Sequence, residues 1–303
     1  MPFIEVNEAH LPTPVIQGER ALVNRGVADL RREPRSLAER VSQALIGEAV
    51  HVLERGADWS RVRLERDGYL GWMQNSVLHD CSRADALAYR AAANGLVIAE
   101  IAQCYSSPLL VGEGPGMRSG KLPFGVTLPL VEREGGWAAL RLPDGRVWWV
   151  AEPDVIDVTA RPRPDAEGIA RTLELIHRSI GVPYLWGGCS PFGYDCSGLA
   201  QTFWGFMGVS IPRDADQQFR AGAPVEGTPC AGDLLFFSES PPFHGGDDRG
   251  GITHVAISLG GDDMIHANGA ARGISLNSLD PDSPMYRAWL REHLAGVRRF
   301  SNL

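Results

Sequence analysis

The sequence predicts an α+β protein. Three observations carry that prediction: short strands repeated in the first half, a proline-punctuated break near residue 161, and two helical patterns followed by apolar runs in the last third. At 303 residues the chain is too long for one ordinary core and suits two or three units of about 100–150 residues each. The patterns favour three, over residues 1–80, 81–160 and 161–303.

In the first half, Gly47 precedes Trp59 by the same interval at which Gly125 precedes Trp137. Each tryptophan leads through a short apolar segment and a turn to another, Trp72 and Trp149. Residues 50–54, 62–64 and 69–73 read as strands, and so do their counterparts 126–132, 138–142 and 147–150. Arg66-Asp67-Gly68 and Pro143-Asp144-Gly145 supply the turns between them. Short strands at this spacing predict a small β-barrel used twice, and the pattern resembles bacterial SH3 domains.

The run Arg161-Pro162-Arg163-Pro164-Asp165 is a linker. Beyond it Ile169, Leu173, Ile176 and Ile180 recur at helical spacing, predicting an amphipathic helix that ends at Gly181. After the glycine-rich residues 183–188, Leu199, Ala200, Phe203 and Met207 share one face of a second helix, with Asp195 as its cap and Gly208 at its end. Residues 233–237, 254–259, 264–267 and 297–300 read as strands.

A formal net charge of −8 argues against a nucleic-acid partner, so Arg31, Arg32 and Arg35 read as solvated surface. No apolar run is long enough for a membrane span. The first eight residues lack the basic and apolar regions of a secretory leader. The five cysteines, Cys81, Cys104, Cys189, Cys196 and Cys230, are odd in number and widely spaced. Together these features predict a reducing, cytoplasmic setting rather than a disulfide framework. Without a Cys-x-x-Cys pair, structural zinc is not expected. His244, Asp247 and Asp248 read as part of a Gly- and Pro-rich loop rather than a metal site, and Asp233 as a turn residue.

Cys196 falls at the first turn of the second predicted helix, where free N–H groups and the helix dipole favour a thiolate by about 0.3–1 kcal/mol, or about 2 kcal/mol when partly buried. That is too little to ionise a thiol, so an imidazole is required. His254 opens one predicted strand and His266 closes the next. A hairpin would bring the rings together, one as base and one orienting it. Cys189 is the competing nucleophile, but it lies in a flexible-looking loop with no helix start behind it and reads as a small core residue.

Taken in order, Tyr184-Leu185-Trp186-Gly187-Gly188, Tyr194-Asp195-Cys196-Ser197-Gly198-Leu199, Ile211-Pro212-Arg213-Asp214, Gly232-Asp233-Leu234-Leu235-Phe236-Phe237, Thr253-His254-Val255-Ala256-Ile257 and Met264-Ile265-His266-Ala267 resemble the NlpC/P60 cysteine peptidases across residues 165–303. The resemblance implies a papain-like α+β domain in which Cys196 attacks, His254 transfers the proton and His266 orients it. It places Tyr184 beside the developing oxyanion, where a donor contributes about 2.7–4 kcal/mol. Two SH3-like units ahead of such a domain are similar to the layout of cytoplasmic γ-D-glutamyl-L-diamino acid peptidases of murein recycling.

That likeness implies L-Ala-γ-D-Glu-diamino acid as substrate, with no metal or organic cofactor. It also implies substrate contacts from Glu48, Tyr69, Asp195, Ser197, Arg213 and Asp214, of which Glu48, Tyr69 and Asp214 meet the free amino end. Ala215 stands where the relatives carry a serine, a difference of about 1 kcal/mol in one hydrogen bond. The rival expectations are an exported hydrolase acting on intact wall and a non-enzymatic wall-binding protein.

Overall fold

The two glycines that sit at equal distances ahead of a tryptophan adopt the same backbone. Gly47 has φ 87° and Gly125 φ 83°, a left-handed conformation that residues with a Cβ adopt at a cost. A Cβ on Gly47 would also meet Leu128 Cδ2 at 2.7 Å, because this turn presses against the second β unit. The computed structural model describes residues 19–108, 117–239 and 251–300. The loop holding His244, Asp247 and Asp248 and the first eight residues lie outside them.

The first unit is an antiparallel sheet ordered Arg40–Leu45, Val27–Arg31, Leu70–Gln74, Trp59–Leu64, Ala49–Arg55, Arg20–Val23, Leu78–Cys81. Alternate residues of Trp59–Leu64 point inward, so Ser60, Val62 and Leu64 are buried, the last two in a core with Leu30, Val50 and Met73. Helix α1 (Arg83–Ala92) follows and was not expected. Its signal was Ser82 three residues before Asp85, and the two cap the helix reciprocally.

The second unit carries a five-stranded sheet ordered Arg118–Pro123, Ile101–Tyr105, Val147–Ala151, Trp137–Arg141, Leu130–Glu134, and a three-stranded one of Thr127–Leu128, Gly95–Val97 and Val155–Asp157. The single strand expected over 126–132 divides at Pro129, which has no N–H to continue a ladder. Arg32 and Arg35 project outward as expected. Arg31 instead bonds the Asp29 carboxylate at 2.6 Å and the Ala38 carbonyl at 2.9 Å.

In the last unit Asp165 caps helix α2 (Ala166–His177), which buries Ile169 and Ile176. The predicted extension to Ile180 fails. The chain tightens through Ser179 N–H to Ile176 O and Ile180 N–H to His177 O, leaving Ile180 exposed. Helix α3 (Cys196–Phe206) packs its Leu199, Ala200 and Phe203 face against an antiparallel sheet ordered Ala223–Pro224, Leu294–Arg299, Leu234–Ser238, Ile252–Gly260, Asp263–Asn268, Gly273–Ser278. Helix α4 (Ala215–Ala221) and helix α5 (Ala288–His293) flank it. Phe124 of the second unit stacks on Phe206 with ring centroids 4.4 Å apart, so the two cores merge.

Candidate active site

The start of α3 is set by one carboxylate. Asp195 has extended backbone and its Oδ1 accepts the Gly198 amide at 2.7 Å, which caps the helix. Its Oδ2 accepts the Gly187 amide at 2.9 Å, tying in the glycine-rich loop. Arg213 completes the arrangement by donating Nη1 to Oδ1 at 3.1 Å and Nη2 to Oδ2 at 2.6 Å. Arg213 Nη1 also reaches Ser197 Oγ at 2.8 Å. Asp195, Ser197 and Arg213, expected as substrate ligands, are thus bonded to one another and buried. Charges this deep require partners inside the protein. Gln218 adds a further tie, from its Nε2 to the Ser197 and Pro212 carbonyls.

Cys196, 9% exposed, follows the cap directly. The backbone amides of Val255 and Ser197 favour its thiolate, which sets the sulfur beside the strand that bears His254. Phe237 pairs with His254 across the sheet, and the imidazole is half-buried. His254 Nε2 lies 2.7 Å from His266 Nδ1, and His266 Nε2 lies 2.9 Å from Asn277 Oδ1. The hairpin therefore brings the two predicted histidines together. It adds Asn277, which the sequence reading missed because the strand Gly273–Ser278 carries no clean apolar alternation.

Burial, reinforced by the Asp195 charge, pushes the Cys196 thiol up to about 12, against the helix-dipole expectation of a thiolate. Burial, and then His266, pushes His254 down to about 3. Thiol and imidazole therefore rest neutral. A proton moving from sulfur to ring creates both charges at once, and each offsets the desolvation of the other. Burial, reinforced by the neighbouring Cys196 sulfur and Asp195 carboxylate, also raises the Tyr184 phenol, so its hydroxyl stays protonated and able to donate.

The first unit forms a wall of this site. Tyr69 Oη donates to the Asp214 carboxylate, 3.2 Å from each oxygen. Burial raises the Asp214 carboxyl despite the neighbouring Arg213. Glu48 is held differently, since Arg66 Nη1 bonds both of its oxygens at 2.7 and 2.8 Å. The expected convergence of Glu48 with Tyr69 and Asp214 on an empty cation site is corrected here: Glu48 already has its cation.

Several wall residues had no signal in the sequence. Glu39 accepts from Trp186 Nε1 at 2.9 Å and from Arg32, whose charge also acts on Tyr69 and Asp214. Ser42 Oγ accepts from Arg213 Nε at 3.2 Å. Gln43 Oε1 accepts the Cys189 amide at 3.0 Å. Cys189 lies in the short strand Cys189–Ser190 and is buried, so the loop expected there is a packed hairpin. Ala215 is the first residue of α4 and is buried. Asp233 accepts the Cys230 amide at a turn and pairs with Arg299. Among the described residues no group of three or more His, Cys, Asp or Glu is disposed to hold a metal ion, and no helix is long and apolar enough to cross a membrane.

Comparison with known proteins places this geometry. The NlpC/P60 family profile matches residues 181–298, and that of the bacterial dipeptidyl-peptidase Sh3 domain matches residues 30–78. The γ-D-glutamyl-L-lysine dipeptidyl-peptidase of Bacillus subtilis is 30% identical over 253 residues, covering 78% of this chain and 75% of the relative. Its Bacillus cereus counterpart is 29% identical over 271 residues, covering 86% and 74%. Dipeptidyl-peptidase 6 of Lysinibacillus sphaericus is 29% identical over 291 residues, covering 91% and 98%. The crystal structure of an NlpC/P60 family protein from Bacillus cereus superposes with a TM-score of 0.77 at 25% identity, covering 93% of this chain and 99% of that one. With an NlpC/P60 papain-like fold preceded by an SH3 domain, the chain belongs to the NlpC/P60 family of cysteine peptidases.

Proposed function

We propose that this peptidase hydrolyses the bond between γ-D-Glu and the diamino acid in murein peptides whose L-Ala amino group is free. The observation that carries the reading is the Tyr69–Asp214 pair, which joins a hydroxyl of the first unit to a carboxylate of the last. A carboxylate held at that point suits a terminal ammonium. The names of the relatives, γ-D-glutamyl-L-lysine dipeptidyl-peptidases, support a substrate of this class.

In the proposed reaction His254 takes the Cys196 proton as sulfur attacks the γ-carbonyl, while Tyr184 donates to the oxyanion. His254 then returns the proton to the departing amine, and water releases the thioester by the reverse use of the same base. His266 orients His254. Asp195, Ser197 and Arg213 hold the helix start that carries the nucleophile.

Residues 81–160 read as a second SH3-like unit, supported by the matched Gly47 and Gly125 turns, and the boundaries near 80 and 160 follow. A substrate with a free amino end is one already released from the glycan, which favours peptide recycling in the cytoplasm. The test compares L-Ala-γ-D-Glu-diaminopimelate with its N-acetylated form and with intact sacculi. The free tripeptide should be cleaved far faster. Equal rates would move the function to an exported wall hydrolase.

A further inference from the structure

The tautomer of a neutral histidine pair is decided by whatever bonds its outer end. Here that outer end is His266 Nε2, which two side-chain amides approach. Asn277 presents Oδ1 at 2.9 Å, and its Nδ2 donates to the Met285 carbonyl at 3.1 Å. That second bond fixes which way the amide faces, so an acceptor meets the ring. Asn268 presents Nδ2 at 3.4 Å, with its Oδ1 held by the Ala270 amide at 2.8 Å. One amide asks His266 Nε2 to donate and the other asks it to accept. The shorter contact wins, because a bare nitrogen 2.9 Å from a carbonyl oxygen would set two lone pairs against each other.

We propose that Asn277 is a positioning residue that fixes the tautomers of both histidines and thereby leaves a lone pair on His254 Nδ1 for the Cys196 proton. With Nε2–H of His266 donated to Asn277, His266 Nδ1 is bare and must accept from His254 Nε2–H, at 2.7 Å. His254 Nδ1 is then the basic nitrogen. If Asn268 prevailed, every proton in the chain would shift by one nitrogen and His254 would present Nδ1–H, which cannot accept a proton. Burial disfavours imidazolium at both rings, which keeps the pair neutral and this choice meaningful. Asn277 is 4% exposed, so water does not compete for the contact. The inference rests on His254 as the base of Cys196.

The test reads tautomers directly, by long-range proton–nitrogen correlation spectra of nitrogen-15 histidine-labelled protein. Signals are assigned by their loss in His254→Gln and His266→Gln. The unmodified protein and Cys196→Ala should both show Nε2–H on both rings. Asn277→Leu should convert both to Nδ1–H and lower kcat by roughly 100-fold or more, with KM changed less than about threefold. Adding Asn268→Asp to Asn277→Leu restores an acceptor at the ring without losing the Ala270 contact. It should return both rings to Nε2–H and recover at least about tenfold in kcat.

Should Asn277→Leu fail to fold, Asn277→Asp serves in its place. It keeps the acceptor and should keep the tautomers, while its charge favours imidazolium and moves the acid limb of the kcat/KM profile to higher pH. Among the described residues, the titratable side chain bonded to His266 is His254. Nδ1–H on either ring of the unmodified protein, an Asn277→Leu protein with unaltered tautomers, or an Asn277→Asp protein with an unmoved acid limb overturns the proposal. Activity surviving in Cys196→Ala would instead overturn the assignment of the nucleophile, and the spectra would still report the tautomers.

Discussion

Arg213 grips both oxygens of the Asp195 carboxylate, at 3.1 and 2.6 Å, one residue before the proposed nucleophile. The pair links the capped start of α3, the glycine-rich loop through Gly187 and the first unit through Ser42. Breaking a buried ion pair from one side leaves an uncompensated charge, at a cost of about 3–5 kcal/mol. Arg213→Met should therefore lower unfolding free energy in urea by about that amount and slow turnover as the helix start loosens. Unchanged stability would show that the latch is dispensable.

Cys196→Ala should remove turnover while leaving the denaturation midpoint within a few degrees, because the side chain is small and the thiol carries the chemistry. Cys189→Ser should retain most activity, since the hairpin contact with Gln43 is made by the backbone amide. His254→Gln should be nearly as damaging as Cys196→Ala, and His266→Gln less so. Steady-state rates with a defined tripeptide check all four. An inactive Cys189→Ser beside an active Cys196→Ala reverses the assignment.

Recognition of the amino end separates Asp214 from Glu48. Loss of one charge-assisted hydrogen bond contributes about 1.5–3 kcal/mol, so Asp214→Asn should reduce kcat/KM for the free tripeptide by about 10- to 150-fold and barely change that for the N-acetylated peptide. Glu48→Gln acts elsewhere, because it strips Arg66 of a bidentate partner. It should lower stability by about 1–3 kcal/mol with little effect on amino-end selectivity. Thermal melts and paired kinetics distinguish the two, and a Glu48→Gln protein that loses selectivity without losing stability would reassign the site.

Acid should destabilise the fold through the histidine pair. Burial holds His254 at about 3, below its ordinary 6.5, and lowers His266 as well. The unfolded chain therefore binds more protons below pH 6.5, and stability that is complete above that pH declines as the pH falls toward 3. Chemical denaturation across pH 7.5 to 4.5, a range set by the ordinary imidazole pKa of about 6.5, measures the slope. His254→Gln should flatten it, and an unaltered slope would assign the acid sensitivity to other groups.

Much of the architecture was legible because it is local. The equal Gly–Trp intervals pointed to one small β unit used twice, and Gly47 and Gly125 adopt matching backbone. Asp195 ahead of Leu199, Ala200 and Phe203 predicted a capped helix beginning at Cys196, because capping and apolar periodicity act within a few residues. His254 and His266 were placed on neighbouring strands by the shortness of the hairpin between them. Where local rules competed with packing they failed, as at Ile180, turned outward once the helix closed at His177, and at Pro129, which splits a strand. Only the tertiary structure decided which charges answer which. Glu48 pairs with Arg66, Asp195 with Arg213, Tyr69 with Asp214 and His266 with Asn277. The reason is that desolvation makes each buried polar group take its nearest partner in space, and spacing along a chain carries no record of that distance.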